Sequence, residues 1–446
     1  MLETWIMRDA WFQAVKNNAG LHLAGAGSLL CYAYLSSMSR QDGVFPLETF
    51  YLCVGLPWLL LLVLFLRRLL GRGGEISLKG VILWAVLFRV AGLLAEPVYE
   101  DDYFRFLWDG YRFAESGDPY GTTPLSHFGD QAVPDAYKDV LDFVNHPELP
   151  TIYGPLLEYV FLLSHYLWPA KLVGLKLLFI LAEAGTLFAL WKVLCPRRFL
   201  LAAWCPLLVI ETSFQAHPDI IAIGCLAWGL VMALRRRPWA SMICLALASS
   251  AKVFAVLACP FWWEKKHWFK QGMLMGGVIV LLYSPFLLQG SDAGRTSLQA
   301  MAQEWEFNSA FYGLLRSWLD PNVARLICLG LFGVSYVALL GWFWRRRMNG
   351  WEGDPPLDLV FGCFFLFSPV INPWYLLWMF PFVVKNPRCW SVTALAVVSM
   401  SYITGLNLQD DRWGNFENPL SVKLIEFGAI ILSVVMDLFI SRSRRD

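Results

Sequence analysis

Charge is what this chain has least of. Asp, Glu, Lys and Arg make up only 16% of its 446 residues and hydrophobic residues 57%, whereas a soluble domain carries about 25% charged residues. A surface built from so little charge would be too apolar for water, which excludes an ordinary soluble protein. No excess of either sign points to nucleic acid or to an acidic partner, since the formal net charge is +1. None of the ten cysteines is spaced as CxxC, and none stands at metal-ligand spacing with the six histidines. Most of them (Cys31, Cys205, Cys225, Cys244, Cys328, Cys363) fall inside apolar runs, as small core residues do. The chain also lacks a repeat at a period of about 20–50 residues, low-complexity tracts, and the paired Gly/Pro-broken segments of inverted-repeat transporters. Its first apolar run follows a mixed amphipathic stretch, Met1 to Lys16, with no small-residue cleavage pattern behind it, so no cleavable signal peptide is expected. One integral membrane unit over 1–446 is expected, with no soluble domain appended.

What the chain does have is apolar runs near the ~20 residues needed to cross hydrocarbon. They lie near 19–38, 48–66, 78–95, 153–169, 171–194, 199–214, 217–234, 240–261, 270–289, 323–344, 357–371, 373–384, 389–407 and 420–440. Many of the 22 tryptophans sit beside charges or prolines at the ends of these runs, as rings at the headgroup level do. Lys and Arg favour the cytoplasmic side. Arg67, Arg68, Arg72 and Lys79 therefore put the loop after the second run inside and segment 96–152 outside. Arg235 to Arg237, Lys265 with Lys266, Arg345 to Arg347, Lys385 with Arg388, and Arg442 to Arg445 are further inside candidates. If 153–169 crossed, Arg197 and Arg198 would fall outside; if 240–261 crossed, either the triple arginine or the Lys265 cluster would be misplaced. Treating both runs as re-entrant or interfacial removes the conflicts and leaves about 12 spans with both ends inside. Non-spanning backbone at membrane depth is tolerated where it is buried in protein or lines a cavity, so these two runs also point to a site. The expected fold is an all-α polytopic membrane protein.

Outside, the long loop 96–152 is joined by segments near 290–322 and 407–419. The long loop opens Glu96-Pro97-Val98-Tyr99-Glu100-Asp101-Asp102-Tyr103. Three adjacent carboxylates resist ionising together, which makes a proton acceptor tunable. From Asp102 the pattern is helical, with Asp102, Arg105, Asp109 and Arg112 on one face and Phe104, Leu107, Trp108 and Tyr111 on the other. Such an amphipathic helix would lie in the interface and hold the acids at the depth of lipid phosphates. The plain alternative is a salt-bridged surface helix, because the charges stand at i,i+3 and i,i+4. That alternative suits Arg105, Asp109 and Arg112 better than it suits Asp101 and Asp102, which repel each other.

The strings EDDYFRFLWDGYRFAESGDPY and NHPELPTIYGP resemble the first external loop of bacterial GT-C membrane glycosyltransferases of the polyprenol-phosphate-mannose type, distantly related to GPI mannosyltransferases. Glu211 followed by Gln215-Ala216-His217-Pro218-Asp219 resembles that family's glutamate and Gly-His-x-Asp segment. Ala251-Lys252-Val253-Phe254 resembles its Leu-Lys-x-Tyr/Phe, Phe307-Asn308-Ser309 its Phe-Asn-x, and Ser368 to Tyr375 its Ser-Pro-x-x-His-Pro-Trp-Tyr. Asn372 stands where the histidine is usual, so no acid/base role carries over to it. Gln215-Ala216 replaces the usual glycine turn.

The resemblance implies a GT-C-like fold and transfer of a hexose, mannose favoured, from a polyprenyl-phosphate donor. The acceptor would be a hydroxyl of a glycan or lipid, attacked with inversion on the extracytoplasmic face of a bacterial inner membrane. Membrane lipids would be its surroundings, and nucleic acid no partner. The residues can be matched to those demands. Asp102 or Asp101 would accept the proton. Arg105 and the mid-run Lys252 would stabilise the departing phosphate, an intramembrane lysine being costly unless used. His217 and Asp219 begin a span, where an N-terminal cap is the plain reading of Asp219, and Glu211 would pair with His217 or Lys252. Asn372, Trp374 and Tyr375 would be a sugar-binding wall or a tight turn. Asn308, with Glu304 and Glu306, would close over the acceptor, and Glu100 completes the acid cluster. No cofactor is expected, although Glu100, Asp101 and Asp102 offer hard oxygens for a divalent cation. No Gly-rich phosphate loop is present for a nucleotide sugar. A lipid-linked-sugar flippase or transporter is the alternative, and it should line a central path with polar groups in both halves. A non-catalytic scaffold of an envelope synthase would tolerate loss of the loop acids.

Overall fold

The computed structural model describes residues 2–41, 45–71, 75–292, 294–404 and 418–443. The protein is 74% helical, and the described residues contain no strand, only an isolated bridge between Phe307 and Val370. Among the described residues, five helices are long and apolar enough to cross a membrane: Leu47–Arg67, Leu172–Trp191, Trp268–Leu288, Pro321–Met348 and Leu420–Ser441. Several turn their apolar side chains outward, Leu326, Leu329, Val334 and Val337 each being about two-thirds exposed. That pattern suits hydrocarbon as the solvent. The chain is an all-α polytopic membrane protein. The other apolar runs form shorter helices, among them Leu78–Leu93, Asp219–Leu234, Pro238–Ser249 and Leu357–Phe367. Most of the acidic segment 407–419 lies outside the described residues.

Of the two runs expected not to span, the first is a single short helix and the second is broken. Pro155–Leu167 has 13 residues, about 20 Å of helix, against a hydrocarbon thickness of about 30 Å. The run 240–261 is a hairpin. Pro238–Ser249 rises, the helix stops at Ser250 to Lys252, and the chain returns through a 3₁₀ turn, Val253–Ala258, and Cys259–Trp262. Arg236 before the hairpin and Lys265 after it therefore line one cavity, together with Arg347 and Glu352. Asp354 lines the same cavity and feels the charge of Arg198. The basic clusters at 197–198, 235–237, 265–266 and 345–347 thus gather at one end of the molecule, as the charge rule requires of two non-crossing segments.

Charges that the sequence reading did not single out brace the interior. Arg89, on Leu78–Leu93, is paired with Glu183 on Leu172–Trp191 and also donates to the carbonyl oxygens of Ala203 (2.7 Å) and Ala85 (3.2 Å). Lys176 donates to Gly92 O (3.0 Å) and Ala95 O (2.6 Å). It joins the Ala95 N–H on Gly92 O and places a favourable charge at the C-terminal end of helix Leu78–Leu93. The exit into the acid loop is thereby fixed.

Single cysteines at Arg236 and Lys266, in a background lacking other reactive thiols, are expected to label from the same side of the membrane. One at Pro169 is expected to label from the opposite side. Labelling of Lys266→Cys from the Pro169 side would rule out the hairpin.

Candidate active site

The acids are positioned by their approach. Val98 is held at both backbone groups by one side chain: its N–H donates to Gln215 Oε1 (2.8 Å) and its carbonyl accepts from Gln215 Nε2. Tyr99 then takes a left-handed φ of +66°, costly for a residue with a Cβ. Its hydroxyl, bonded to Phe45 O at 2.6 Å, helps hold it there. The turn delivers Glu100, Asp101 and Asp102 to the start of helix Asp102–Ser116.

That helix is amphipathic as expected, but both its faces are covered by protein. Gly110 lies so close to Pro155–Leu167 that a Cβ would stand 2.4 Å from Phe161 O, and Phe106 stacks on Phe161 at 4.9 Å. Arg105 and Asp109 are buried as well. Arg105 bonds Asp109 (2.9 Å) and the carbonyl of Leu149 (3.0 Å), so the charged face is turned to the 145–153 segment and not to lipid headgroups. Asp101 accepts from Asn145 Nδ2. Asp102 and Arg105 line a small cavity of about 60 Å³ with Asn145, His146, Tyr153 and Trp305.

Behind the acids sits the hairpin tip. Lys252 Nζ donates to both oxygens of Asp219, each at 2.8 Å, and lies 4.8 Å from the centre of the Tyr375 ring. Trp378 donates to the same carboxylate at 2.7 Å. Of the two partners expected for Glu211, the structure selects His217, whose Nδ1 stands 2.9 Å from Glu211 Oε2. Tyr402 donates to that oxygen at 2.9 Å. Trp374 stacks on the imidazole, with ring centres 3.7 Å apart. Residues Ile210–Phe214 form a π turn, and Ala216 follows at φ +61°. This is the conformation a glycine would take without strain, so the altered Gln215-Ala216 turn keeps a glycine-like backbone.

Asn308 does not reach this cluster. It donates to both oxygens of Glu426 (3.1 and 3.2 Å) and accepts from Asn418 (2.7 Å). Glu306 is held by Ser309 and Arg316. Trp305, not Asn308 or Glu306, brings the 290–322 segment to the cavity. Asn372 precedes the 3₁₀ turn Pro373–Trp378 and faces the Tyr375 phenol.

Burial and then the neighbouring Asp102 push Asp101 up to about 6. Burial also raises Asp102, against the opposing pull of Lys252. Glu100 is raised well above the usual range by burial and then by Asp102, Glu211 and Asp101. One ligand atom each from Glu100, Asp102 and His217 lies within 4.8 Å of the others. His217 Nδ1 faces Glu211, and its Nε2 makes no hydrogen bond among the described residues. Two carboxylates and an imidazole fit a divalent cation, and this set differs from the expected one by having His217 in place of Asp101.

Residues 18–264 match the model of an alpha-(1->6)-mannopyranosyltransferase N-terminal domain. The chain belongs to this mannopyranosyltransferase family. It is similar to alpha-(1->6)-mannopyranosyltransferase A of Mycobacterium tuberculosis, at 23% identity over 386 residues, covering 78% of this chain and 72% of that protein. No solved structure matches. Within this mannopyranosyltransferase-family chain, the matched stretch holds the acids, His217, Asp219 and Lys252. The aromatic wall of Trp374, Tyr375, Trp378 and Tyr402 comes from beyond it. Asn145, His146, Tyr153 and Trp305 are cavity residues that the sequence reading did not assign. The NHPELPTIYGP string carried the first three, but with no chemistry of its own to mark them.

Gly154 ties loop to hairpin: its N–H donates to Ala251 O (3.2 Å), Leu156 N–H donates to Ser250 O (3.3 Å), and a Cβ would stand 2.1 Å from Ser250 O. Gly154→Ala is expected to lower stability by about 1–3 kcal/mol and to displace Lys252, with a fall in both melting temperature and activity. Ala216→Gly is expected to leave both intact. Thermal melts of the two variants beside wild type check this.

Proposed function

We propose that this protein transfers a mannosyl residue from a polyprenyl-phosphate donor to a glycan or lipid-linked acceptor hydroxyl. The reaction proceeds with inversion at the extracytoplasmic face of a bacterial cytoplasmic membrane. Family membership supports the mannosyltransferase class. The observation that carries the rest is Asp102, which lines a cavity in the acid loop beside the buried Lys252–Asp219 pair, at the end of the molecule away from the basic clusters.

In this reading the acceptor oxygen attacks the anomeric carbon as Asp102 takes its proton. The bond from that carbon to the phosphate oxygen breaks, and the electron pair leaves with polyprenyl phosphate. A single displacement inverts the centre. Arg105 keeps donors beyond those used by Asp109 and Leu149, and Lys252 keeps one beyond Asp219; both are available to the departing phosphate as its charge develops. Asn145 orients the acid loop through Asp101. Trp374 and Tyr375 supply ring faces for the sugar. The reading needs no cation; Glu100, Asp102 and His217 are where one would sit, neutralising phosphate charge. A flippase would string its polar groups along a path, whereas the intramembrane Arg89 and Glu183 are paired with each other.

In proteoliposomes with radiolabelled polyprenyl-phosphate mannose and mannan acceptors, Asp102→Asn is expected to cut transfer by about 10²–10⁴-fold. Asp101→Asn should cut it less. Transfer unchanged in both variants would sink the assignment of the base. Because a protonated carboxyl cannot accept the proton, and burial raises both acids, the acid limb of kcat/KM should lie well above the ~3.9 of a free aspartate. A limb near that ordinary value would contradict the buried geometry. Treatment with a chelator should leave transfer unchanged; loss restored by a divalent cation would instead assign the Glu100, Asp102 and His217 set as ligands.

A further inference from the structure

At the opposite end, at the base of the hairpin, lies a cavity of about 670 Å³. It has two chemical halves. Leu230, Leu234, Phe261, Trp262 and Phe343 make an apolar wall, while Lys265, Lys266 and Arg347 stand on its rim. The acids nearby are mostly engaged: Glu352 by Arg236 at 3.5 Å, and Asp354 by Lys385 at 2.9 Å and Asn386 at 2.8 Å. Only Glu264 lines the rim without an ion pair among the described residues, against three such cations. Two of these cations rest on rings, Lys265 Nζ 6.0 Å from Trp344 and Arg347 Cζ 5.5 Å from Phe343, and such contacts leave N–H donors open. In the wall, the buried indole N–H of Trp262 has no acceptor among the described residues.

We propose that this cavity binds an anionic phospholipid, its phosphate among Lys265, Lys266 and Arg347 and its upper acyl chain along the Phe261, Trp262 and Phe343 wall. A free phosphate would satisfy the rim and leave the wall empty, whereas a phospholipid matches both halves. The site lies at the basic end of a chain whose neighbouring helices expose Leu234 and Trp239, where anionic headgroups attract cations. A lipid here would clamp the two legs of the hairpin whose tip carries Lys252. The binding site stands without the proposed transferase reading; only its influence on transfer rests on it.

The full-length protein in neutral detergent is titrated with phosphatidylglycerol, phosphatidylcholine and inorganic phosphate, and lipid binding is counted by native mass spectrometry. Phosphatidylglycerol is expected to bind roughly tenfold or more tighter than phosphatidylcholine. Combined Lys265→Gln, Lys266→Gln and Arg347→Gln substitution should erase that preference. Should the triple variant fold poorly, Lys266→Gln, at an exposed side chain, should still weaken phosphatidylglycerol binding several-fold, while Arg347→Lys should retain it. Equal affinity for the two lipids, an unchanged triple or Lys266→Gln variant, or full displacement of the lipid by inorganic phosphate would overturn the proposal. Because binding is read without transfer, its failure is separable from failure of the transferase reading.

Discussion

A chain that enters the membrane and turns back must satisfy the backbone groups its turn leaves unpaired, because hydrocarbon supplies no partner. At the tip of the 238–262 hairpin this is done by the chain that leads into helix Pro155–Leu167. Ser250 O and Ala251 O accept from Leu156 and Gly154, and the Lys252 charge is taken up by Asp219. Removing one partner of a buried pair of this kind costs about 3–5 kcal/mol. Directly ahead of these bonds, residues 145–150 line one cavity with Asp102, Arg105 and Tyr153.

Much of this was legible in the sequence. The conflict of basic clusters pointed to two segments that need not cross, and in the structure Pro155–Leu167 is short and 238–262 folds as a hairpin. The triple acid and the mid-run lysine marked the loop and the tip because charge at membrane depth is costly. The left-handed turn at residue 216 was legible only as a departure from a pattern. What stayed hidden was pairing through space. Nothing local says that Lys252 meets Asp219 rather than Glu211, or that Arg89 finds Glu183 across 94 positions. The covered polar face of Asp102–Ser116 was hidden for the same reason: helical periodicity shows which residues share a face, not what packs against it. The partner of Asn308 was hidden as well, because a buried amide looks alike in sequence whether it meets substrate or, as here, Glu426.

The molecule is chemically polarised along its axis. Carboxylates Glu100, Asp101, Asp102, Asp219 and Glu211 gather at one end, and Arg198, Arg236, Lys265, Lys266 and Arg347 at the other. The hairpin runs between the two, so a binding event at its base and a reaction at its tip share one short element.

The reciprocal bonds between Gly154–Leu156 and Ser250–Ala251 bear on how such a protein can be recombined. A Cβ at position 154 has no room while Ser250 keeps its place, so neither segment can be exchanged alone for a differently shaped counterpart. Chimeras between relatives would have to graft residues 145–156 and 248–254 as one cassette, though almost a hundred residues of chain separate them.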